Sequence, residues 1–461
     1  HGYGMGVTAA DFDNDGWLDL YLTNLSGNQM WRNLGGVTGA PTFEDVTETS
    51  ESGSSRWSVP AVAFDYDRDG WLDLFVGHYL DYSAGSNKRC TDELGVPNYC
   101  GPLAFAPLPD LLLRNRGDGT FEDFSREAGI DGEFGGCLGA VAADFDADGW
   151  LDLYVANDGL PNQLWINRGG RGESGFENRA LLAGAAVSGQ GHPEASMGVA
   201  VADFDADGDE DLFLTHLNRE TNTLYLNDGR GLFGDRSAPS GLGAPSYSKT
   251  GFGTGWLDYD NDGWLDVLTV NGAVKVIKTL SLAGDPLPLH QTNQLFRNLG
   301  DSSKFEDVSQ TAGSVFALSE VSRGAAFGDI DNDGDTDVVI NNNSGPVRLL
   351  INQVGQDRSW LGLRLVDAAG RHDRLGALAG VVGSDGTTRW RRAGATASYA
   401  SSSDPRLLFG LGDGAEPITR IIVHWPDGSS EQWSAEEIAV GSYTTLRQGS
   451  GTASTPRTPA G

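Results

Sequence analysis

The chain has 461 residues, enough for two or three domains, and 39% of them are hydrophobic, so a sizeable core can form. A formal net charge of −32 argues against nucleic acid as a partner, because the phosphates would be repelled. The 65 glycines favour an all-β protein rich in turns, and no apolar run reaches the roughly 20 residues of a membrane-spanning helix.

One ten-residue pattern, D-x-D-x-D-G-x-x-D with an apolar residue at its end, occurs six times in the chain. Its copies are DFDNDGWLDL from residue 11, DYDRDGWLDL from 65, DFDADGWLDL from 144, DFDADGDEDL from 203, DYDNDGWLDV from 258 and DIDNDGDTDV from 329. Their starts lie 54, 79, 59, 55 and 71 residues apart, which a unit of about 55 residues with two insertions explains.

The pattern is typical of a loop that binds a hard cation such as Ca²⁺, which takes six to eight oxygen ligands. Aspartates at the first, third and fifth places can point inward, glycine at the sixth allows the sharp turn, and the ninth aspartate closes the shell. Without a cation, two carboxylates about 5 Å apart would cost roughly 3 kcal/mol at an effective dielectric constant of about 20. The sequence therefore predicts about six Ca²⁺ ions in what we call metal loops 1 to 6. The predicted ligands are Asp11, Asp13, Asp15 and Asp19; Asp65, Asp67, Asp69 and Asp73; Asp144, Asp146, Asp148 and Asp152; Asp203, Asp205, Asp207 and Asp211; Asp258, Asp260, Asp262 and Asp266; and Asp329, Asp331, Asp333 and Asp337.

An EF-hand begins with the same spacing, but it needs a glutamate at the twelfth place and flanking helices. The twelfth place here is Leu22, Val76, Val155, Leu214, Thr269 or Ile340. The flanks, as in LDLYLTN and GVAVADF, read as β-strands. Each loop is therefore expected to join two strands, and its metal is expected to stabilise the fold rather than to take part in a reaction.

Each repeat unit reads as four strands, two around the metal loop and two around a glycine-rich hairpin. In the fourth unit these are GVAVADF, EDLFLTHL, NTLYLND and GLFGDRS, which we call strands A to D. Such units repeated in a ring form a β-propeller, so the expected fold is all-β with six blades. A seventh blade is left open because the chain begins within a repeat, and we expect that an upstream export signal has been removed.

Strand direction assigns the loops to two faces of the propeller. Metal loops and C–D hairpins share one face, while B–C and D–A connections share the opposite face, which we call the insertion face. Both long insertions, residues 78–109 and 272–292, fall in B–C connections. Since long loops on a rigid scaffold usually carry binding, we expect the ligand on the insertion face.

The D–A connections add polar and aromatic side chains to the insertion face. Candidate ligand-binding residues are Arg56, Trp57 and Tyr247, although Trp57 also suits packing between blades. If the face is catalytic, the candidates are His192, Glu194, Lys249, Glu320 and Arg323. His192 and Glu194 could act as an acid–base pair or hold a metal. Arg323 could bind an anionic ligand or pair with a carboxylate.

The three cysteines divide between a loop and a strand. Cys90 and Cys100 both lie in the first insertion, where a disulfide would stiffen the loop and fit an oxidising compartment. Cys137, in GGCLGAVAADF, is expected to be a buried free thiol on an inner strand.

Beyond about residue 357 the metal loops stop, and short strands with Gly, Asp-Gly and Pro-Asp-Gly turns follow. SWLGLRLVDAAG, RLLFGLG and TRIIVHWPDGSSEQW predict a small β-sandwich over residues 358–448, after a propeller over residues 1–357. Residues 449–461, which are small and polar, are expected to be disordered.

The propeller loops resemble FG-GAP/VCBS repeats, and MGVAVADFDADGDEDLFLTHLNRETNTLYLNDG is similar to the cartilage acidic protein family and its bacterial relatives. YASSSDPRLLFGLG with IIVHWPDGS resembles the ASPIC/UnbV domain that ends those proteins. One departure is HDRLGALAGVV, where the family pattern is closer to an Asn-Arg-x-Gly-Ile-Gly-Ala-Arg run. The resemblance implies secretion, calcium and interaction with extracellular material, without an established catalytic set. Only five of the 32 basic residues are lysines, which favours a GC-rich bacterial genome.

These observations favour a secreted or periplasmic, calcium-stabilised binding or adhesion module with its ligand on the insertion face. The alternative is a calcium-dependent enzyme (a cyclase, lyase or hydrolase), acting on a small molecule at the propeller mouth on that face, for example in natural-product biosynthesis. A third interpretation is a purely structural matrix protein. The expected partner is an extracellular protein, a glycan or a small molecule, with no nucleic acid and no membrane span.

Overall fold

A computed structural model describes residues 2–36, 42–91, 95, 97–169, 175–300, 304–413 and 417–456. Strands dominate these residues, and each α-helix is only four or five residues long: Ser125–Ala128, Ala180–Ala183, Ser237–Ser240, Gly243–Ser246 and Lys278–Leu282. Within the described ranges, no helix is long and apolar enough to cross a membrane.

The six repeat units form six antiparallel sheets in which neighbouring strands follow chain order, A to D in blades 1 to 5 and A to C in blade 6. Strands A to D of blade 1 are Gly4–Ala10, Asp19–Asn24, Gln29–Asn33 and Phe43–Asp45. Those of blade 2 are Ser58–Phe64, Asp73–His78, Leu111–Asn115 and Phe121–Asp123. Those of blade 3 are Cys137–Ala143, Asp152–Asn157, Gln163–Asn167 and Phe176–Asn178. Those of blade 4 are Val199–Ala202, Asp211–Leu214, Thr223–Asn227 and Phe233–Asp235. Those of blade 5 are Gly251–Leu257, Asp266–Asn271, Gln294–Asn298 and Phe305–Asp307, and those of blade 6 are Ser322–Gly328, Asp337–Asn342 and Arg348–Leu350.

This arrangement confirms the predicted all-β propeller, with one difference in blade 6. That sheet has three strands instead of four, because the chain leaves Arg348–Leu350 and enters the C-terminal domain at Ser359. Every metal loop joins strands A and B directly, and no helix adjoins a loop among the described residues, so the loops are not EF-hands, as expected.

Strand A is the innermost strand of each blade, and each strand A contacts strand A of the next blade from blade 1 to blade 6. Glycine allows this approach: a Cβ on Gly253 would lie 2.7 Å from the backbone nitrogen of Ala325 in the next blade. Large side chains fill the seams farther out. Tyr21 and Phe121 belong to one hydrophobic cluster between blades 1 and 2. Tyr154 of blade 3 belongs to another, between blades 3 and 4.

The two insertions carry short elements of their own. In the first, Cys90–Thr91 pairs with Pro97–Asn98, and the predicted disulfide joins Cys90 to Cys100 with an S–S length of 2.00 Å. The second contains the helix Lys278–Leu282 and a strand, Gln291–Thr292, that pairs with Ser319–Glu320 before blade 6. Cys137 is a buried free thiol on strand A of blade 3, as expected.

The C-terminal domain contains two main facing sheets. One is ordered Leu407–Gly412, Ser359–Val366 and Tyr443–Arg447; the other is ordered Thr388–Arg392, Leu378–Gly383, Ile418–His424, Ser430–Ser434 and Thr452–Ala453. Buried Leu361, Phe409 and Trp433 belong to the core between them, which confirms the small β-sandwich. Because Thr452–Ala453 is paired with Ser430–Ser434, the expectation of disorder from residue 449 onward is wrong for this part of the tail. Residues 457–461 of the tail lie outside the described residues.

A hairpin of the C-terminal domain fills the centre of the ring, and the sequence did not predict it. Residues 395–403, which we call the axial hairpin, contain the paired strands Thr396–Ala397 and Ser401–Ser402. These strands contact strand A of blades 1, 2, 3, 4 and 6, and Ser398 Oγ accepts a hydrogen bond of 3.0 Å from Thr254 of blade 5. All six inner strands therefore meet the same hairpin.

Backbone bonds fix the hairpin in place. Ser398 exchanges two hydrogen bonds with Val199, at 2.7 and 3.1 Å, and the Val7 N–H donates to the Ala400 carbonyl at 3.3 Å. At the tip, the Tyr399 ring packs edge-on against Phe252, with centroids 4.9 Å apart. The hairpin thus crosses the channel from the metal-loop side toward the insertion face.

Candidate metal loops and the insertion face

The six metal loops share one backbone conformation. The residue at the fourth place has a φ between 53° and 63° in all six, and the glycine at the sixth place has a φ between 88° and 100°. The second value is one that residues with a Cβ rarely adopt, so the sixth place requires glycine, as the sequence indicated. The turn brings the Gly16 N–H within 2.8 Å of Asp11 Oδ2, and Gly263 repeats this contact with Asp258.

Carboxylate oxygens converge within these loops. In loops 1 to 5, one oxygen from each of three aspartates lies within 4.8 Å of the others: Asp11, Asp13 and Asp15; Asp65, Asp67 and Asp73; Asp144, Asp146 and Asp152; Asp203, Asp205 and Asp211; Asp258, Asp260 and Asp262. Asp65 Oδ1 and Asp211 Oδ2 are buried and have no hydrogen-bond partner in the part of the chain that the structure describes. An all-oxygen donor set with unsatisfied buried oxygens fits a hard divalent cation such as Ca²⁺.

The electrostatics of the loops also call for a cation. Burial, with a smaller contribution from neighbouring aspartates of the same loop, raises the pKa of Asp65 to about 6 and that of Asp203 to about 7. Two arginines of the C-terminal domain, Arg374 and Arg391, oppose these shifts. The two arginines therefore offset only part of the negative charge that the loop aspartates bring together.

The ninth aspartate has a role beyond the predicted closing of the shell. In every blade, its Oδ1 accepts a backbone N–H from the asparagine at or just beyond the end of strand C, at 2.7 or 2.8 Å. The six pairs are Asp19 with Asn33, Asp73 with Asn115, Asp152 with Asn167, Asp211 with Asn227, Asp266 with Asn298, and Asp337 with Asn352. The metal loop is thereby tied to the third strand of its own blade.

Five of these asparagines, those of blades 2 to 6, also join neighbouring blades, a role that the sequence reasoning missed. Asn227 Nδ2 of blade 4 donates to the Phe145 carbonyl in metal loop 3 at 2.9 Å. Asn115, Asn167, Asn298 and Asn352 make the corresponding bond to the loop of the preceding blade, at 2.8 to 3.3 Å. The available signal was the asparagine that ends WRN, LRN, WIN, YLN, FRN and LIN in the six repeats.

The C-terminal domain packs on the metal-loop face. Arg392 forms a two-pronged ion pair with Glu210 of loop 4, with Nε 2.7 Å from Oε1. The Tyr443 hydroxyl donates to Asp329 Oδ2 of loop 6 at 2.9 Å. The Gly412 N–H donates to the Asn261 carbonyl of loop 5 at 2.9 Å. Three metal loops are therefore part of the interface between the two domains.

Three of the candidate catalytic residues on the insertion face are engaged by the protein itself. Glu320 accepts hydrogen bonds from Arg348, with Nη2 2.6 Å from Oε1, and from Asn342. Arg323 donates to backbone carbonyls in residues 272–273 and lies over the Phe252 ring. Lys249 Nζ donates to Thr292 Oγ1 at 2.6 Å. These residues belong to the seams on either side of blade 5.

The other two catalytic candidates lie in the connection between blades 3 and 4. His192 is exposed, whereas Glu194 is half-buried. Glu194 lies beside His216 at the end of the blade 4 strand B, with Glu194 Oε2 3.7 Å from His216 Nε2. His216 was missed by the sequence reasoning, although it occupies a place that is asparagine in four other repeats.

The three candidate ligand-binding residues differ in exposure. Trp57 packs against Tyr79 and Tyr82, with ring centroids 4.9 and 5.4 Å apart. Arg56 is exposed, and its Nη1 donates to the Pro109 carbonyl at 3.3 Å. Tyr247 is 53% exposed. Arg56 and Tyr247 are thus the two that present surface to a partner.

Comparison with protein families identifies both parts of the chain. The family of FG-GAP-like repeats matches residues 11–76, 107–155, 144–214 and 203–269. The family described as ASPIC and UnbV matches residues 368–453. The first set covers metal loops 1 to 5, and the second covers most of the C-terminal sandwich and all of the axial hairpin.

Curated relatives and solved structures give weaker likenesses. Cartilage acidic protein 1 of Homo sapiens is 26% identical over 352 residues, which are 64% of this chain and 50% of that protein. The Xenopus tropicalis protein of the same name is 24% identical, over 59% of this chain and 48% of its own length. The chain thus spans about half the length of the curated relatives it matches.

Among solved structures, a Trypanosoma rangeli sialidase with the inhibitor DANA has a TM-score of 0.41 at 12% identity, covering 76% of this chain and 54% of the sialidase. An Agrocybe aegerita lectin specific for non-reducing terminal N-acetylglucosamine has a TM-score of 0.40 at 16% identity, covering 76% of this chain and 81% of the lectin.

Proposed function

Because the chain belongs to the family of FG-GAP-like repeat proteins that carry an ASPIC and UnbV domain, we propose that it is a secreted, calcium-stabilised binding or adhesion module. Its ligand is an extracellular protein or glycan, and it binds the insertion face. The name of the curated relatives refers to cartilage, which is an extracellular matrix. The Cys90–Cys100 disulfide supports an oxidising compartment, since such bonds are rare in the cytosol.

The position of the C-terminal domain carries this proposal. It covers metal loops 4 to 6 through Arg392, Tyr443 and Gly412, and its axial hairpin fills the channel. A partner approaching the metal-loop side would have to displace this domain. The insertion face, by contrast, presents two long loops with exposed Arg56 and Tyr247 between blades. Loops of this kind on a rigid scaffold are well suited to recognition.

Calcium supports the same function by stabilising the ring. Loops 1 to 5 each gather three carboxylates. The ninth aspartate connects each of these loops to its own blade, and the strand C asparagine of the following blade donates to a carbonyl in the loop. A cation bound in a loop would therefore stabilise the seam as well as the turn. It would act on the binding surface only by holding the blades in place.

The first experiment tests the metal. Four of the six loops carry tryptophan at the seventh place, Trp17, Trp71, Trp150 and Trp264, so Tb³⁺ bound in these loops should luminesce when tryptophan is excited. Ca²⁺ should displace Tb³⁺ and abolish the signal. If Tb³⁺ gives no sensitised emission, the loops do not bind hard cations and calcium stabilisation is ruled out.

The second experiment tests the surface. The full chain is screened in millimolar Ca²⁺ on an array of extracellular polysaccharides and matrix proteins. The double variant Arg56→Ala and Tyr247→Ala should lose binding to any ligand found. The control Arg420→Ala changes an exposed arginine of the C-terminal domain and should bind like the wild type. Loss of binding in the control alone would place the ligand on the other domain.

A further inference from the structure

The residue five places after the ninth aspartate lies at or just beyond the end of strand B in each blade, on the insertion face. The six residues are Asn24, His78, Asn157, His216, Asn271 and Asn342. In five blades the side chain donates to a backbone carbonyl of the connection that follows, at 2.7 to 3.0 Å. His78 makes this bond through Nδ1 to Pro109, and the asparagines make it through Nδ2. The position therefore has a structural role that either residue type can fill.

His216 in blade 4 departs from this pattern. The residue is 3% exposed, and neither of its ring nitrogens has a hydrogen-bond partner within the described ranges. The Ala195 carbonyl is close enough to favour the protonated ring, but burial dominates and lowers the pKa of His216 to about 4. A neutral imidazole is therefore buried with its lone pair unused. An unsatisfied polar group of this kind costs about 1–3 kcal/mol in a folded protein.

One glutamate borders this ring. Glu194 Oε2 lies 3.7 Å from His216 Nε2, which is too long for a hydrogen bond. Two ligands of one tetrahedral Zn²⁺ ion, each about 2.0–2.1 Å from the metal, lie roughly 3.3 Å apart. The observed separation thus needs to shrink by only a few tenths of an ångström to accept a shared ion.

Glu220 holds the two chain segments of the site together. Its Oε2 accepts the N–H of Ala195 at 3.0 Å and that of Leu217 at 3.2 Å, which are the residues next to Glu194 and His216. Both bonds use the same oxygen. Oε1 is therefore left for a further interaction. Burial raises the pKa of Glu194 to about 7, and Glu220 is the neighbouring carboxylate that adds most to this rise.

We propose that His216, Glu194 and Glu220 bind one divalent transition-metal ion of the Zn²⁺ class on the insertion face, apart from the metal loops. One imidazole nitrogen with two carboxylates suits Zn²⁺ far better than Ca²⁺, which prefers an all-oxygen set. A water or a ligand group would complete the coordination. The Zn²⁺ site is independent of the proposed binding function. Binding of a ligand found on the array and binding of Zn²⁺ are measured separately, and either can fail without the other.

The test uses a substitution that the fold already accepts. His216→Asn installs the residue that four other blades carry, so it should fold and remove the imidazole. With Ca²⁺ saturating, calorimetric titration should show one Zn²⁺ site in the wild type that weakens at least 100-fold in His216→Asn. His78→Asn makes the same change in blade 2 and should leave this site intact. Glu194→Gln should weaken it at least tenfold.

The absorption spectrum of bound Co²⁺ reports which protein groups coordinate the metal. A Co²⁺ ion held by nitrogen and carboxylate ligands in a tetrahedral site should give an intense visible absorption in the wild type and in His78→Asn, but not in His216→Asn. Equal Zn²⁺ titrations for the wild type and His216→Asn would overturn the proposal. So would a wild type that binds no Zn²⁺, since buried water would then satisfy the ring.

Discussion

Asp110 occupies a position in blade 2 where other blades carry asparagine. Its Oδ1 accepts the backbone N–H of His78 at 2.8 Å, and Asn162 Oδ1 accepts the N–H of Asn157 in the same way at 2.9 Å. Asp110 is buried, and burial raises its pKa from 3.8 to about 8. The folded protein therefore holds a neutral carboxylic acid at pH 7 where its neighbours hold a neutral amide.

The raised pKa of Asp110 determines how the stability of the protein changes with pH. Between pH 3.8 and about 8 the folded state binds the Asp110 proton more tightly than the unfolded chain does, so stability falls as pH rises through that window. At pH 7 the loss amounts to at most about 4 kcal/mol, from 1.36 kcal/mol for each pH unit above the unfolded pKa. Asp110→Asn keeps the hydrogen bond to His78 and removes the titration. The variant should therefore be more stable than the wild type at neutral pH.

Urea unfolding followed by tryptophan fluorescence, in saturating Ca²⁺ at pH 5, 6 and 7, measures the difference. The difference in the free energy of unfolding between Asp110→Asn and the wild type should widen by about 1.4 kcal/mol per pH unit. The imidazole of His78 stays neutral in this range, because burial lowers its pKa to about 4, and it is common to both proteins. The matched control Asn162→Asp puts an acid at the equivalent position of blade 3 and should lose stability with rising pH. A gap that is constant with pH, or an Asp110→Asn variant less stable at pH 7, would refute the reasoning.

Three further predictions concern the ring. Removing Ca²⁺ with a chelator should lower the melting temperature strongly, because the metal binds only the folded loops; an unchanged calorimetric melting curve would count against six metal loops. Asp205→Ala should weaken one loop and lower thermal stability without unfolding the protein, since the other loops remain; Asp81→Ala, at an exposed aspartate outside the loops, is the control. Tyr399→Ala should cost about 2–4 kcal/mol by removing the ring that packs on Phe252, and limited proteolysis should then cut within residues 393–405.

The metal loops could be read from the sequence because all their determinants are local. Six copies of one spacing fix the aspartates, and the sixth-place glycine has the φ that the turn demands. The alternation of apolar residues also placed strands A to D correctly in blade 4. The Cys90–Cys100 disulfide lies within one insertion, so it too was accessible without knowledge of distant contacts.

Features that depend on distant segments could not be predicted. The asparagine bonds between blades join residues 82 to 103 apart in sequence, and a lone asparagine at a strand end carries no sign of such a partner. His216 meets Glu194 only because two connections converge at one seam. The axial hairpin was hidden for the same reason, because Ser398 and its partner Thr254 are 144 residues apart.

The channel is filled by a segment that is synthesised only after all six blades. Residues 395–403 follow all six blades, so a ribosome-bound propeller has a hollow axis until this stretch emerges. Nascent or prematurely terminated chains would expose inner-strand backbone that the finished molecule conceals. A protease or chaperone that recognises this exposed lining could therefore distinguish incomplete copies from completed ones.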